Sequence, residues 1–189
     1  MSPAPFVADY DRDWPSRAET LIAAVLAAAD RGVLRVEHIG STAIPGMAAK
    51  NVIDLQASVD DLDRAVAVLD EPLGALGFER LPYDHDHVPA GRADEPDRWV
   101  KRLWARRNHA EGNVNLHVRL AGSSNERLAL LFRDWFRAHP ESVPAYAAFK
   151  RALAAEVVDV DVYSDVKDPV VDLVITVAER WAADVGWSP

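Results

Sequence analysis

Apolar residues recur along the chain at two spacings, and the switches between them divide it into elements. Leu21, Ile22, Val25, Leu26 and Ala29 form the stripe of a helix packed on one side. Asp13 before Trp14-Pro15 supplies its start and Gly32 its stop. A strand over 33–39 follows, then a Gly-Ser turn, then a second strand over 51–59. Asp60 or Asp61 caps a helix through Leu62, Val66 and Leu69 that continues past Pro72 to Gly77. Residues 79–97 carry Pro, Gly, Asp and His without a period and are expected to form a long loop, a feature common in lids.

Two more strands are expected over 98–106 and 113–120. The turn from Arg107 to Gly112 between them favours an antiparallel hairpin. Ser123 and Glu126 have capping-box spacing ahead of a helix with Leu128, Leu131, Phe132, Trp135 and Phe136 on one face, ended by Pro140. Further helices are expected over 144–157 and 165–183. The order defines an α+β protein, an α/β-type mixed sheet with helices packed on one face and a C-terminal helical annex over about 123–189. With no internal repeat and no low-complexity linker, residues 1–189 are read as one domain.

Alternation along the strands sorts the polar side chains. In 51–59, Ile53, Leu55, Ala57 and Val59 share one face, and Asp54, Gln56 and Ser58 the other. In 113–120, Val114, Leu116 and Val118 oppose Asn113, Asn115, His117 and Arg119. If the two strands share a sheet, Asp54, Gln56, Asn115 and His117 converge beside Gly40-Ser41. Asp, Asn and His are poor strand formers but good ligands for metals and phosphates, which favours a cleft over a merely solvated sheet face. The glycine permits close backbone approach to a phosphate, and Asp54 can hold a hard cation such as Mg²⁺ against it.

Other constellations carry less. Asp84-His85-Asp86-His87 has the composition of a metal-binding run and equally that of a solvated loop. Glu37-His38 stands ahead of the turn, where either residue reaches the cleft or seats a neighbouring strand. Arg98, Arg102 and Arg106 form one row of a basic strand and Lys101 lies on the other. Trp99, Trp104, Trp135 and Trp181 are expected in the core.

Composition narrows the class. The 189 residues include no cysteine, which excludes disulfides, thiolate nucleophiles and zinc-thiolate sites. The net charge of −9 argues against general nucleic-acid binding but leaves room for a local basic site holding a small phosphorylated ligand. No apolar run approaches the roughly 20 residues of a membrane span, and no basic region precedes an apolar one at the amino terminus. A cytoplasmic protein with no membrane partner is expected.

The run Glu37-His38-Ile39-Gly40-Ser41-Thr42-Ala43-Ile44-Pro45-Gly46, with Lys50 and Asp54, resembles the GrpB family of small bacterial proteins, a branch of the nucleotidyltransferase superfamily. Asp9 to Pro15, Asn115-Leu116-His117-Val118, Phe132 to Pro140, and Tyr146, Lys150, Tyr163 and Lys167 extend the resemblance nearly end to end. It implies a nucleotidyltransferase-like fold in which Gly40, Ser41, Thr42 and Lys50 bind a nucleotide such as ATP. Asp54 would carry a divalent cation, Mg²⁺ or another, and His117 would act as ligand or general base. Glu37, His38, Asn115 and Lys167 would support the substrate, and Gln56 on the polar strand face and Arg102 of the basic strand are candidates beside them.

The pattern also departs from the superfamily. Nucleotidyltransferases pair two carboxylates two residues apart with a third on a neighbouring strand, whereas here Gln56 takes the second position and Asn115 or His117 the third. A neutral amide weakens two-metal chemistry. Two functions stay open: a nucleotidyl- or phosphoryl-transferase acting on a small acceptor, or a non-catalytic partner or chaperone-like module linked to an enzyme of CoA biosynthesis.

Overall fold

The computed structural model describes residues 5–29, 32–93, 95–107, 109 and 112–189. Helix α1 spans Trp14–Ala29, followed by strands β1 (Arg35–Ile39) and β2 (Val52–Val59) and helix α2 (Leu62–Ala75). Strands β3 (Glu79–Leu81), β4 (Lys101–Arg106) and β5 (Asn113–Leu120) come next, then helices α3 (Ser124–Ala138), α4 (Val143–Glu156) and α5 (Val160–Val185). The expected mixed α+β architecture is the one observed. Asp61, not Asp60, caps α2, its carboxylate accepting from the Arg64 N–H at 2.8 Å. Of the 107–112 turn, Asn108, Ala110 and Glu111 lie outside the described residues, as do Asp30, Arg31 and Asp94.

The sheet order is β1-β2-β5-β4-β3. β2 and β5 run parallel at its centre, and all other neighbours are antiparallel. The register sets Asp54 beside Asn115, Gln56 beside His117 and Ser58 beside Arg119, so the two polar faces do share one side. On the other side Ile53, Leu55, Val114, Leu116 and Val118 are buried beneath α1 and α2, which contribute Leu21, Val25, Leu69 and Leu73. Burying each such side chain contributes on the order of 2 kcal/mol.

A second core lies across the polar side. Ile44 and Met47, from the segment after the Gly-Ser turn, pack with Leu131 and Phe136 of α3, Tyr146 of α4 and Ile175 of α5. This core fastens the annex over the polar face and turns it into a walled cleft.

The 79–97 segment is more ordered than its composition implies. Its first residues form β3 on the edge of β4, pairing Glu79 with Ala105 and Leu81 with Leu103. Residues 96–99 form a short 3₁₀ turn, so β4 starts at Lys101 and not at 98. Pro96, which has no N–H to give a ladder, opens that turn. Helix α5 begins at 160, five residues before the expected start, and carries Pro169 within it. Trp99, Trp104 and Trp135 are core residues, as expected. Among the described residues no helix is long and apolar enough to cross a membrane.

Candidate functional site

Gly40 ends β1 with φ 69° and ψ −168°, a conformation that L side chains rarely adopt. Its neighbour across the sheet explains the requirement. Ile39 is paired with Asp54, and a Cβ at position 40 would stand 2.7 Å from Asp54 Oδ2. The turn that continues over Ser41–Ala43 thus starts directly against the Asp54 carboxylate.

Asp54 accepts a hydrogen bond from Asn115 Nδ2 at 2.7 Å, and His117 Nε2 lies 3.8 Å from the same oxygen. Burial works against the charge on Asp54, but the nearby His117 ring, the hydrogen bond from Asn115 and the charge of Lys50 outweigh it, holding the carboxyl below the usual range. Burial, and next the Arg119 guanidinium, push the His117 imidazole down, so it is neutral at neutral pH. Arg119 only donates, so the 3.4 Å contact makes Nδ1 the accepting nitrogen and leaves the hydrogen on Nε2, toward Asp54. In this state His117 orients Asp54 and has no lone pair directed at it.

Cations gather around this carboxylate. Lys150 Nζ, from α4, donates to Ser41 Oγ at 2.8 Å. Lys50 Nζ lies 5.1 Å from the centroid of the Tyr163 ring. Arg107 donates to Asn115 Oδ1 and, at 2.8 Å, to the Val114 carbonyl. With Lys167 these groups line one cleft of about 890 Å³, in which Gly40, Ser41, Thr42, Asp54, Asn115 and His117 also take part. Trp99, Leu103, Leu128, Phe132 and Ile175 form an apolar wall in the same cleft. The volume is that of a typical small-molecule site.

The 82–97 segment lines the cleft through Tyr83, Asp86, His87 and Pro89. Asp86 points inward to Lys101 Nζ at 2.7 Å, Arg119 Nε at 2.8 Å and Asn125 Nδ2 at 2.9 Å. His87 meets Asp172 of α5 at 3.0 Å, and Arg92 pairs with Glu179.

The remaining expected residues sort by geometry. Lys167 reaches the cleft. Glu37 does not: it pairs with Arg133 at 2.6 Å and holds α3 to β1. His38 contacts Thr42 Oγ1 at 2.9 Å, and burial brings its imidazole down to about 4, so it serves as a neutral brace for the turn. Gln56 is fully buried, its amide oxygen accepting from Arg119 and its nitrogen donating to the Glu126 carbonyl at 3.2 Å. Arg102 faces away from the cleft and pairs with Asp63 at 3.0 Å beside α2. Strand parity gives Lys101 the inward position, since Lys101 is paired with Arg119 and Leu103 with His117. The run Asp84 to His87 does not gather: Asp86 turns inward to Lys101, His85 stays against Asp84 Oδ1, and His87 meets Asp172.

Sequence periodicity missed Lys150 and Arg107 as cleft residues. The signal for Lys150 was its place among the residues that carry the family resemblance. Arg107 stood in a turn where no alternation applies.

Among the described residues no group of three or more His, Asp or Glu is gathered in a way that would hold a metal unaided. Asp54 suits a cation that takes one protein carboxylate and draws its other ligands from phosphate and water, the habit of Mg²⁺. Gln56 does not suit a second ligand, since both of its amide atoms are already engaged.

A mixed sheet with one face covered by helices and the other opened as a basic cleft is the class these features define. The chain belongs to the GrpB family: the family model described as GrpB protein matches residues 4–176. It is similar to the crystal structure of conserved protein GrpB from Enterococcus faecalis, with 25% identity and a TM-score of 0.74 over 93% of this chain and 99% of that one. It is 37% identical to a dephospho-CoA kinase of Mycolicibacterium paratuberculosis over 95% of this chain but 47% of that protein, so it spans about half the length of that relative. A UPF0157 protein of Streptomyces coelicolor is 34% identical over 94% of this chain and 84% of its own length.

Proposed function

We propose that the cleft binds a nucleotide or another phosphorylated small molecule and transfers its nucleotidyl or phosphoryl group to a small acceptor. The observation that carries this reading is that Lys50, Lys150, Lys167 and Arg107 line the cleft that holds the Gly40–Ser41 turn and Asp54, in a protein of net charge −9, with Lys150 donating to Ser41 itself. Cations concentrated against the overall charge of a protein are retained for an anion. The Gly-Ser turn gives a phosphate close access to backbone, and the four cations neutralise it. Asp54 would hold a divalent cation, which supplies charge neutralisation at the transferring phosphoryl group. Asn115 and His117 fix the carboxylate, and the apolar wall beside Leu103 and Phe132 would seat the acceptor and exclude water.

A second reading has its own support. Gln56, at the position of a second catalytic carboxylate, is spent on Arg119 and the Glu126 backbone, which favours a fold kept for binding. On this reading the chain binds a phosphorylated ligand without turnover and acts beside an enzyme of CoA biosynthesis, the field named by relatives that match over about half their length.

Titration calorimetry with nucleoside triphosphates and phosphorylated CoA precursors, with and without Mg²⁺, tests the shared core of both. Saturable binding is expected, and no binding to any of them would remove both. Asp54→Asn then separates the two. Loss of cation-dependent binding and of turnover supports transfer, whereas nucleotide binding unchanged by the substitution, with no turnover in either protein, supports the partner role.

A further inference from the structure

Lys150 is an unusual cation. It is 2% exposed, yet its Nζ rests on a hydroxyl, Ser41 Oγ, and lies 5.2 Å from the centroid of the Tyr146 ring. Among the described residues no carboxylate lies within ion-pair distance of it. The charged and titratable groups that face it are Lys50 ahead of β2, Asp54 on β2, Tyr146 and Arg151 on α4, and Tyr163 and Lys167 on α5. Three of these are cations; Arg151 is paired with Asp9 and Lys167 lies 4.0 Å from Asp168, so of the carboxylates Asp54 is the one whose charge acts on Lys150 itself. A charged amine here is buried without a counter-ion, an arrangement that proteins ordinarily avoid. It becomes favourable once an anion occupies the space in front of Ser41.

We propose that the cleft takes its ligand through a fully ionised terminal phosphoryl group, and that Lys150 picks up one proton from solvent as this group binds. The inference rests on the reading of the cleft as a phosphate site and adds to it a charge requirement. In the empty cleft burial, and next the charge of Lys167, bring the amine down to about 7, so near neutral pH much of it carries no charge. A phosphoryl dianion beside Ser41 reverses that balance and returns the amine to its protonated form. A neutral ligand, or one with a single diffuse charge, gives Lys150 no such reward. The site therefore discriminates for terminal phosphate esters and polyphosphates by charge as well as by shape.

The experiment is titration calorimetry of the full chain with inorganic tripolyphosphate in buffers of differing ionisation enthalpy, which counts the protons exchanged on binding. Once the protons that tripolyphosphate itself gives up on binding are subtracted, at this pH and the lower one alike, uptake of close to one proton is expected at about pH 8, where the free amine is mostly unprotonated. At about pH 6 uptake should fall toward zero, because Lys150 already holds its proton. Lys150→Arg, whose charge is permanent, should bind with no uptake, and Lys150→Met should lose at least tenfold in affinity and all uptake. Tight binding by the natural protein with no proton exchange at about pH 8 overturns the inference and leaves the phosphate site standing. Uptake that persists unchanged in Lys150→Arg or Lys150→Met also overturns it, by assigning the proton elsewhere. Absence of binding by the natural protein overturns the phosphate reading itself, and the inference with it.

Discussion

The Asp54 carboxylate fills the volume into which a side chain at Gly40 would grow, with Oδ2 only 2.7 Å from where its Cβ would be. The turn and the acid are therefore built as one unit. Gly40→Ala is expected to cost about 1–2 kcal/mol from its positive φ alone and to push Asp54 off its hydrogen bond with Asn115. Urea unfolding should show the loss of stability, and tripolyphosphate calorimetry should show binding weakened at least tenfold. A variant that binds as well as the natural protein would uncouple the turn from Asp54.

Asp86 should dominate acid sensitivity. Burial opposes its charge, but Arg119 first and then Lys101 hold its carboxyl far below the usual range. A depressed carboxyl contributes stability that is complete above the unfolded-state value of about 4 and is lost as pH falls below it toward the folded-state value. Asp86→Asn should remove about 3 kcal/mol at neutral pH, because it leaves Arg119 and Lys101 buried without their partner. Unfolding curves of this variant should also lose most of the natural protein's decline in stability between about pH 4 and pH 2. An equally steep decline would place the acid-sensitive group elsewhere.

Restoring the missing carboxylate should not restore two-metal chemistry. In Gln56→Glu the new oxygen would face the Glu126 carbonyl, to which the amide now donates at 3.2 Å. Lower stability with no new dependence on Mn²⁺ or Mg²⁺ is expected, read by thermal unfolding across a metal titration. A gain of metal affinity at this position would show that the side chain turns toward Asp54.

The 82–97 segment is tied across the cleft at Asp86, His87 and Arg92. Limited proteolysis should cut it more slowly when Mg²⁺ and ATP saturate the cleft, with cleavage elsewhere unaffected. Equal rates with and without nucleotide would leave it a fixed wall that does not respond to the ligand.

The parts of this molecule legible in the sequence are those governed by a period. β2 and β5 each bury one face, so alternation alone placed Asp54, Asn115 and His117 on a common side. The same parity rule, applied to β4, would have chosen Lys101 over Arg102. What no period encodes is which distant side chain arrives at a site. Lys150 reaches Ser41 from 109 residues away, on a helix whose pattern reports only its packing face. Asp86 had the look of a loop carboxylate because its partners, Arg119 and Asn125, are set by where the chain crosses the sheet. β3 was hidden for another reason: three residues on a sheet edge are too few to show alternation.

The strand order has a kinetic side. β5 enters between β2 and β4, and the contact from Asn115 to Asp54 spans 61 residues. A growing or refolding chain can close β1 on β2, and β4 on β5, as local hairpins, but joining these two pieces requires closing a long loop for a parallel pairing, the slowest kind of step in sheet assembly. Asp54, Asn115 and His117 all lie along that seam. Recovery of ligand binding during refolding should therefore lag behind recovery of helical circular dichroism, making occupancy of the cleft a clock for completion of the fold.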